Sequence, residues 1–140
     1  MDTEPGKKIK PGDQQLSKQN GFPVLKNIDL AYLHELSGDD KIFEKNILEQ
    51  FIIQAPEELA ALETAYDNKD WKQLNAKAHN LKTTISFLGL QPMLSAHLET
   101  LENFDHSVGN DQELDSSINE VMFVCNNALE EAKACLSAMV

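Results

Sequence analysis

Four stretches of the chain repeat apolar residues at alternating steps of three and four, the spacing that lines one face of an α-helix. In the first, Phe43, Ile47, Phe51, Ala55, Leu59, Leu62 and Tyr66 fall on one side, which predicts helix over 39–68. Pro56 interrupts it, and an internal proline removes one backbone hydrogen bond and crowds the preceding turn. The segment is therefore one kinked helix or two nearly collinear ones. The second stretch begins after Asp70, which forms a capping-box pair with Gln73, and runs through Trp71, Leu74, Ala78, Leu81, Ile85 and Leu88 to a left-handed stop at Gly89. Pro92 opens a third helix carrying Met93, Leu94, Leu98, Leu101 and Phe104. Asn110 and Glu113 form the capping box of the fourth. Its stripe of Leu114, Ile118, Val121, Cys125, Ala128, Ala132, Cys135 and Met139 has the seam spacing of near-parallel helix packing.

Ahead of these, NIDLAYLHEL predicts a short helix over 27–36 with Asn27 as its cap. Residues 1–23 carry no apolar period and are rich in Lys, Gln, Gly and Pro, which predicts a flexible tail. Links of a few residues force neighbouring helices to run antiparallel. The expected fold is all-α: an antiparallel up-down-up-down four-helix bundle over 24–140, with a short N-terminal helix and a flexible N-terminal tail.

Composition narrows the function. A chain of 140 residues is one domain and buries about two-thirds of its unfolded surface. The net charge is −11 and every one of the basic residues is lysine. Nucleic-acid grooves and anionic membranes need clustered cations, so neither is expected as a partner. No stretch reaches the roughly 20 apolar residues of a membrane span, and the N-terminus lacks the apolar core of a signal peptide. A cytoplasmic protein is expected. Cys125 and Cys135 stand ten residues apart on one predicted helix, about 15 Å, too far for a disulfide. They read as reduced core thiols.

The second helix holds the unusual residue. His79 lies roughly 120–130° around the helix from the centre of the stripe, so its imidazole meets solvent. Lys72, Asn75, Thr83 and Ser86 share its surface, Ala76 lies slightly further round, and Lys82 flanks it toward the core edge. Phe87 also points outward, unusual for a large apolar side chain. Residues 69–89 hold Lys69, Lys72, Lys77 and Lys82 against one acid, Asp70, while the rest of the chain sums to −14. A cationic island on an acidic protein suits an incoming anion such as phosphate.

The stretch AHNLKTTISFLGL, residues 78–90, resembles the signature of histidine-containing phosphotransfer (HPt) domains. Ala78, His79, Leu81, Lys82 and Gly89 match the family pattern, and the resemblance extends over roughly 28–137. Thr83 stands where the family has glycine, and Phe87 where it has something small or polar. The resemblance implies a four-helix phosphoryl carrier of two-component signalling. His79 accepts the group, Lys82 neutralises its oxygens, and Thr83 and Ser86 are candidate hydrogen-bond donors. Lys72, Asn75, Ala76 and Phe87 form the expected partner face. The implied partners are receiver domains of a hybrid histidine kinase and a response regulator. The chain itself needs no cofactor, because Mg2+ belongs to the receiver. It carries no phosphate-binding glycine loop, so it is not expected to use ATP.

Other readings are weaker. A non-catalytic adaptor would use the same face without phosphoryl chemistry, and Thr83 favours it. Phe87 is either covered by the N-terminal arm or used in docking. Di-iron bundles need a Glu three residues before a His on two helices; the residues here are Ala31, Ala76, Leu94 and Asn103. No hydrolytic Ser, His and Asp set is argued by spacing. His97, beside the third stripe, reads as an interhelical packing residue, and His34 and His106 carry no signal. The expected form is a stand-alone monomer.

Overall fold

A computed structural model describes residues 18–19, 22–23 and 25–139. Most of the tail expected over 1–23 lies outside these. Five helices follow one another: α1 Leu30–Ser37, α2 Lys41–Asp67, α3 Trp71–Ser86, α4 Gln91–Glu102 and α5 Asp111–Ala138. They are preceded by a two-residue antiparallel pairing of β1 Lys18–Gln19 with β2 Phe22–Pro23, and β2 runs against α5. The α2 to α5 helices form the four-helix bundle, each packing on its neighbour in the chain, and α5 closes the ring on α2.

The helices begin where short polar side chains satisfy their first free N–H groups. Asp40 accepts from Ile42 and Phe43, Asp70 from Gln73, and Asn110 from Gln112 and Glu113. The α3 helix stops just before Gly89, whose φ of 72° only glycine adopts without strain. Asn27 does not cap α1. Asp29 does so by accepting from the Tyr32 N–H, and Asn27 is drawn instead to Glu131 on α5.

Burial follows the α3 and α5 stripes closely. Leu74, Ala78, Leu81, Ile85 and Leu88 are sealed, as are Leu114 through Cys135 on the α5 seam. The α2 stripe differs at both ends. Its first turns bury Glu44 and Leu48 and leave Phe43 exposed, and its last buries Ala65 rather than Tyr66. Phe43 and Ile47 sit one position round from the seam. Apolar spacing points to Phe43 and Ile47 and passes over the acid between them, Glu44. Pro56 is exposed, and α2 continues through it as a single helix of 27 residues, about 40 Å long. Met93, expected in the α4 stripe, is also exposed. Both thiols are free and buried. Burial, with the Glu58 charge behind it, pushes the Cys125 thiol up to about 12, so it stays protonated and unreactive. Burial also raises Cys135.

Candidate functional site

The α3 helix carries His79 in its middle, where backbone hydrogen bonds on both sides make the mount rigid. Its neighbour Ala78 is fully buried, so the helix cannot rotate without breaking the core. The His79 side chain is 67% exposed, matching the outward phase of the sequence.

A residue that the pattern did not single out organises this face. Glu102, in the last turn of α4, reaches across to α3 and meets both His79 and Lys82. One of its oxygens lies 2.5 Å from His79 Nδ1, and the other accepts from Lys82 Nζ at 2.9 Å. The Lys82 hydrogen bond, then that of His79, holds the Glu102 carboxyl below its ordinary 4.5 against the opposing effect of desolvation. Lys82 is raised in turn, first by the same hydrogen bond and then by the charges of Glu102 and Glu99. An ionised carboxylate accepts only, so Nδ1 is the protonated nitrogen of the neutral ring. The lone pair then sits on Nε2, which makes no hydrogen bond among the described residues. A carboxylate behind one ring nitrogen fixes both the tautomer and the ring plane.

The other expected residues separate into two groups. Thr83 is exposed one turn beyond His79, where helical side chains lean back toward the preceding turn. Its hydroxyl has no partner among the described residues. Lys72 and Ala76 are exposed, and Phe87, the C-terminal cap residue of α3, is 40% exposed. Asn75 and Ser86 are engaged elsewhere. The Asn75 amide donates to the Leu101 carbonyl at 2.8 Å, closing the end of α4. The Ser86 hydroxyl donates to the Thr83 carbonyl at 2.7 Å. The lysine island is also less isolated in space than in sequence, because Glu99 and Glu102 face Lys82 from α4.

The remaining histidines have structural settings. His97 Nδ1 lies 3.2 Å from the buried Ser117 hydroxyl and joins α4 to α5. His106 stacks on Trp71, which also packs against Phe104. His34 pairs with Glu44.

The Hpt domain family model matches residues 46–137, more than half of the chain. The chain belongs to the Hpt domain family. Comparison with curated proteins and with solved structures found no match. Membership supports a phosphotransfer-type role in two-component signalling, as Hpt domains are phosphocarriers rather than kinases. The matched range contains α3, α4 and the His79, Lys82 and Glu102 network. No helix among the described residues is long and apolar enough to cross a membrane.

Proposed function

We propose that the chain relays a phosphoryl group between receiver-domain aspartates through phospho-His79. The observation that carries this reading is the His79 ring itself, open to solvent, with Nδ1 tied to Glu102 and Nε2 without a partner among the described residues. In the forward step the Nε2 lone pair attacks the phosphorus of an aspartyl phosphate. The N–P bond forms as the P–O bond to the aspartate breaks, and the carboxylate leaves with the electron pair. The ring gains positive charge, which the Glu102 carboxylate stabilises through the Nδ1 proton. In the return step a second receiver's aspartate attacks phosphorus, and neutral His79 is the leaving group.

Phosphoryl transfer depends on positioning and charge stabilisation. Lys82 supplies the charge. An ammonium has three donors, so Lys82 keeps its Glu102 bond and still offers N–H groups to phosphoryl oxygens. Thr83 is the readier hydroxyl donor, since Ser86 must first release the Thr83 carbonyl. Lys72, Asn75, Ala76 and Phe87 form the docking face for receivers of a hybrid kinase and a response regulator, which bring their own Mg2+. We place the carrier in the cytoplasm as a monomer.

The test is incubation with a phosphorylated receiver, followed by measurement of acid-labile, base-stable phosphate on the chain. The expected result is label on the wild type and none on His79→Gln. Label that persists in His79→Gln contradicts the assignment. A chain that binds receivers yet takes no label from any of them is the adaptor that Thr83 would suit.

A further inference from the structure

Glu131 on α5 is 3% exposed, yet every partner its carboxylate has among the described residues is neutral. It accepts the backbone N–H groups of three consecutive residues, Lys26 at 3.0 Å, Asn27 at 3.1 Å and Ile28 at 2.9 Å. The Asn27 side-chain amide adds a fourth donor at 2.9 Å. Successive backbone N–H groups turned toward one anion form a nest. A buried carboxylate without such donors would be costly, so this one holds the 26–28 segment firmly.

The next residue carries the chain to the site helix. The Asp29 N–H donates to the Leu88 carbonyl at 2.9 Å. Its side chain starts α1 by accepting from Tyr32 at 3.0 Å. Asp29 also packs directly on Gly89, where an added Cβ would lie 2.6 Å from the Asp29 Cβ. Residues 26–29 therefore form a strap, with one end on α5 and the other on the peptide units just beyond Phe87. Leu88 and Leu90 are fully buried, so the α3–α4 link keeps its core anchors if the strap lets go. What the strap adds is the setting of the chain between them.

We propose that Glu131 is a positioning residue for the docking face: by holding residues 26–28 it presents Asp29 to Leu88 and Gly89, and so sets Phe87 at the end of the helix that bears His79. The consequence for docking rests on the relay reading above; the mechanical coupling does not. Glu131→Gln preserves shape and removes one acceptor oxygen, and Asn27→Ala removes a single donor from the nest. Amide hydrogen exchange is measured across the whole chain. Transfer from a phosphorylated receiver is measured beside labelling by phosphoramidate, a small donor that needs no docking face.

In Glu131→Gln, exchange at Asp29 and across 86–90 rises about two- to tenfold, the range one backbone hydrogen bond supplies. The central turns of α2 stay unchanged. The receiver's KM rises by a similar factor while phosphoramidate labelling is unaltered, and Asn27→Ala moves the same readouts less. Faster exchange at 26–29 with none at 86–90 overturns the coupling. Faster exchange everywhere, with phosphoramidate labelling also falling, makes Glu131 a general stabiliser and overturns it too. Should the wild type take phosphate from no receiver, the relay reading fails, and the exchange at 86–90 still decides the coupling.

Discussion

His79 and His34 make the same contact in two surroundings. Each ring places Nδ1 against a glutamate oxygen, at 2.5 Å for His79 and Glu102 and at 2.7 Å for His34 and Glu44. The difference lies in what encloses the pair. Glu44 is 2% exposed and also accepts from the Ser37 hydroxyl at 2.7 Å, at the corner where α1 turns into α2. Glu102 is 22% exposed, and its ring partner stands mid-helix in solvent beside a lysine. The first pair is a tie between two helices. The second turns one nitrogen to a carboxylate and leaves the other without a partner among the described residues. A histidine–carboxylate contact is thus no sign of function until burial and the neighbouring charge are known.

The comparison breaks most visibly on the rings. His79→Gln is expected to abolish receiver-dependent labelling with little change in thermal stability, since exposed substitutions stay within about 0.5 kcal/mol. His34→Gln is expected to leave labelling intact. Loss of label in both would mean that the α1–α2 corner is also part of the chemistry. Next in size, Lys82→Ala removes one charged donor and should slow transfer about 10- to 100-fold while the helical signal and midpoint hold. A large fall in melting temperature instead would place Lys82 in the packing.

The two carboxylates then separate by stability. Glu44→Ala strips the partner from Ser37 and opens a buried site, and should cost about 1–3 kcal/mol, at roughly 3–5 °C per kcal/mol. Glu102→Ala should cost below about 1 kcal/mol, because exposed ion pairs contribute little. Equal losses in thermal melts would contradict the contrast in burial. The smallest effect is in acid. Burial alone would raise Glu44, but the His34 and Ser37 hydrogen bonds and the His34 and Lys41 charges outweigh it, and its carboxyl stays below 4.5. A depressed carboxylate contributes stability above its unfolded value and loses it as pH falls through its folded value. Wild type and Glu44→Gln melts should therefore differ at neutral pH and converge on acidification below 4.5. A gap that widens in acid would reverse the assigned sign.

Periodicity makes α3 to α5 and the outward phase of His79 legible in the sequence, because both follow from local spacing. The three carboxylates that tie elements together were not. Glu44, Glu102 and Glu131 find their partners 10, 23 and about a hundred residues away in the chain, and nothing periodic marks such pairings. The α2 stripe misses Glu44 for the same reason: apolar spacing passes over a buried acid whose donors come from elsewhere in the chain. The cap of α1 moved from Asn27 to Asp29 because Glu131 captures Asn27 from across the fold. The lysine island read as open positive charge, since the acids facing Lys82 come from another helix.

The central claim is that one imidazole is turned outward with its reactive nitrogen chosen by Glu102. Nuclear magnetic resonance of nitrogen-labelled phosphoprotein reads which ring nitrogen carries phosphorus. The account predicts phosphate on Nε2 of His79 and a proton on Nδ1. Phosphate on Nδ1, or on any other residue, would contradict it.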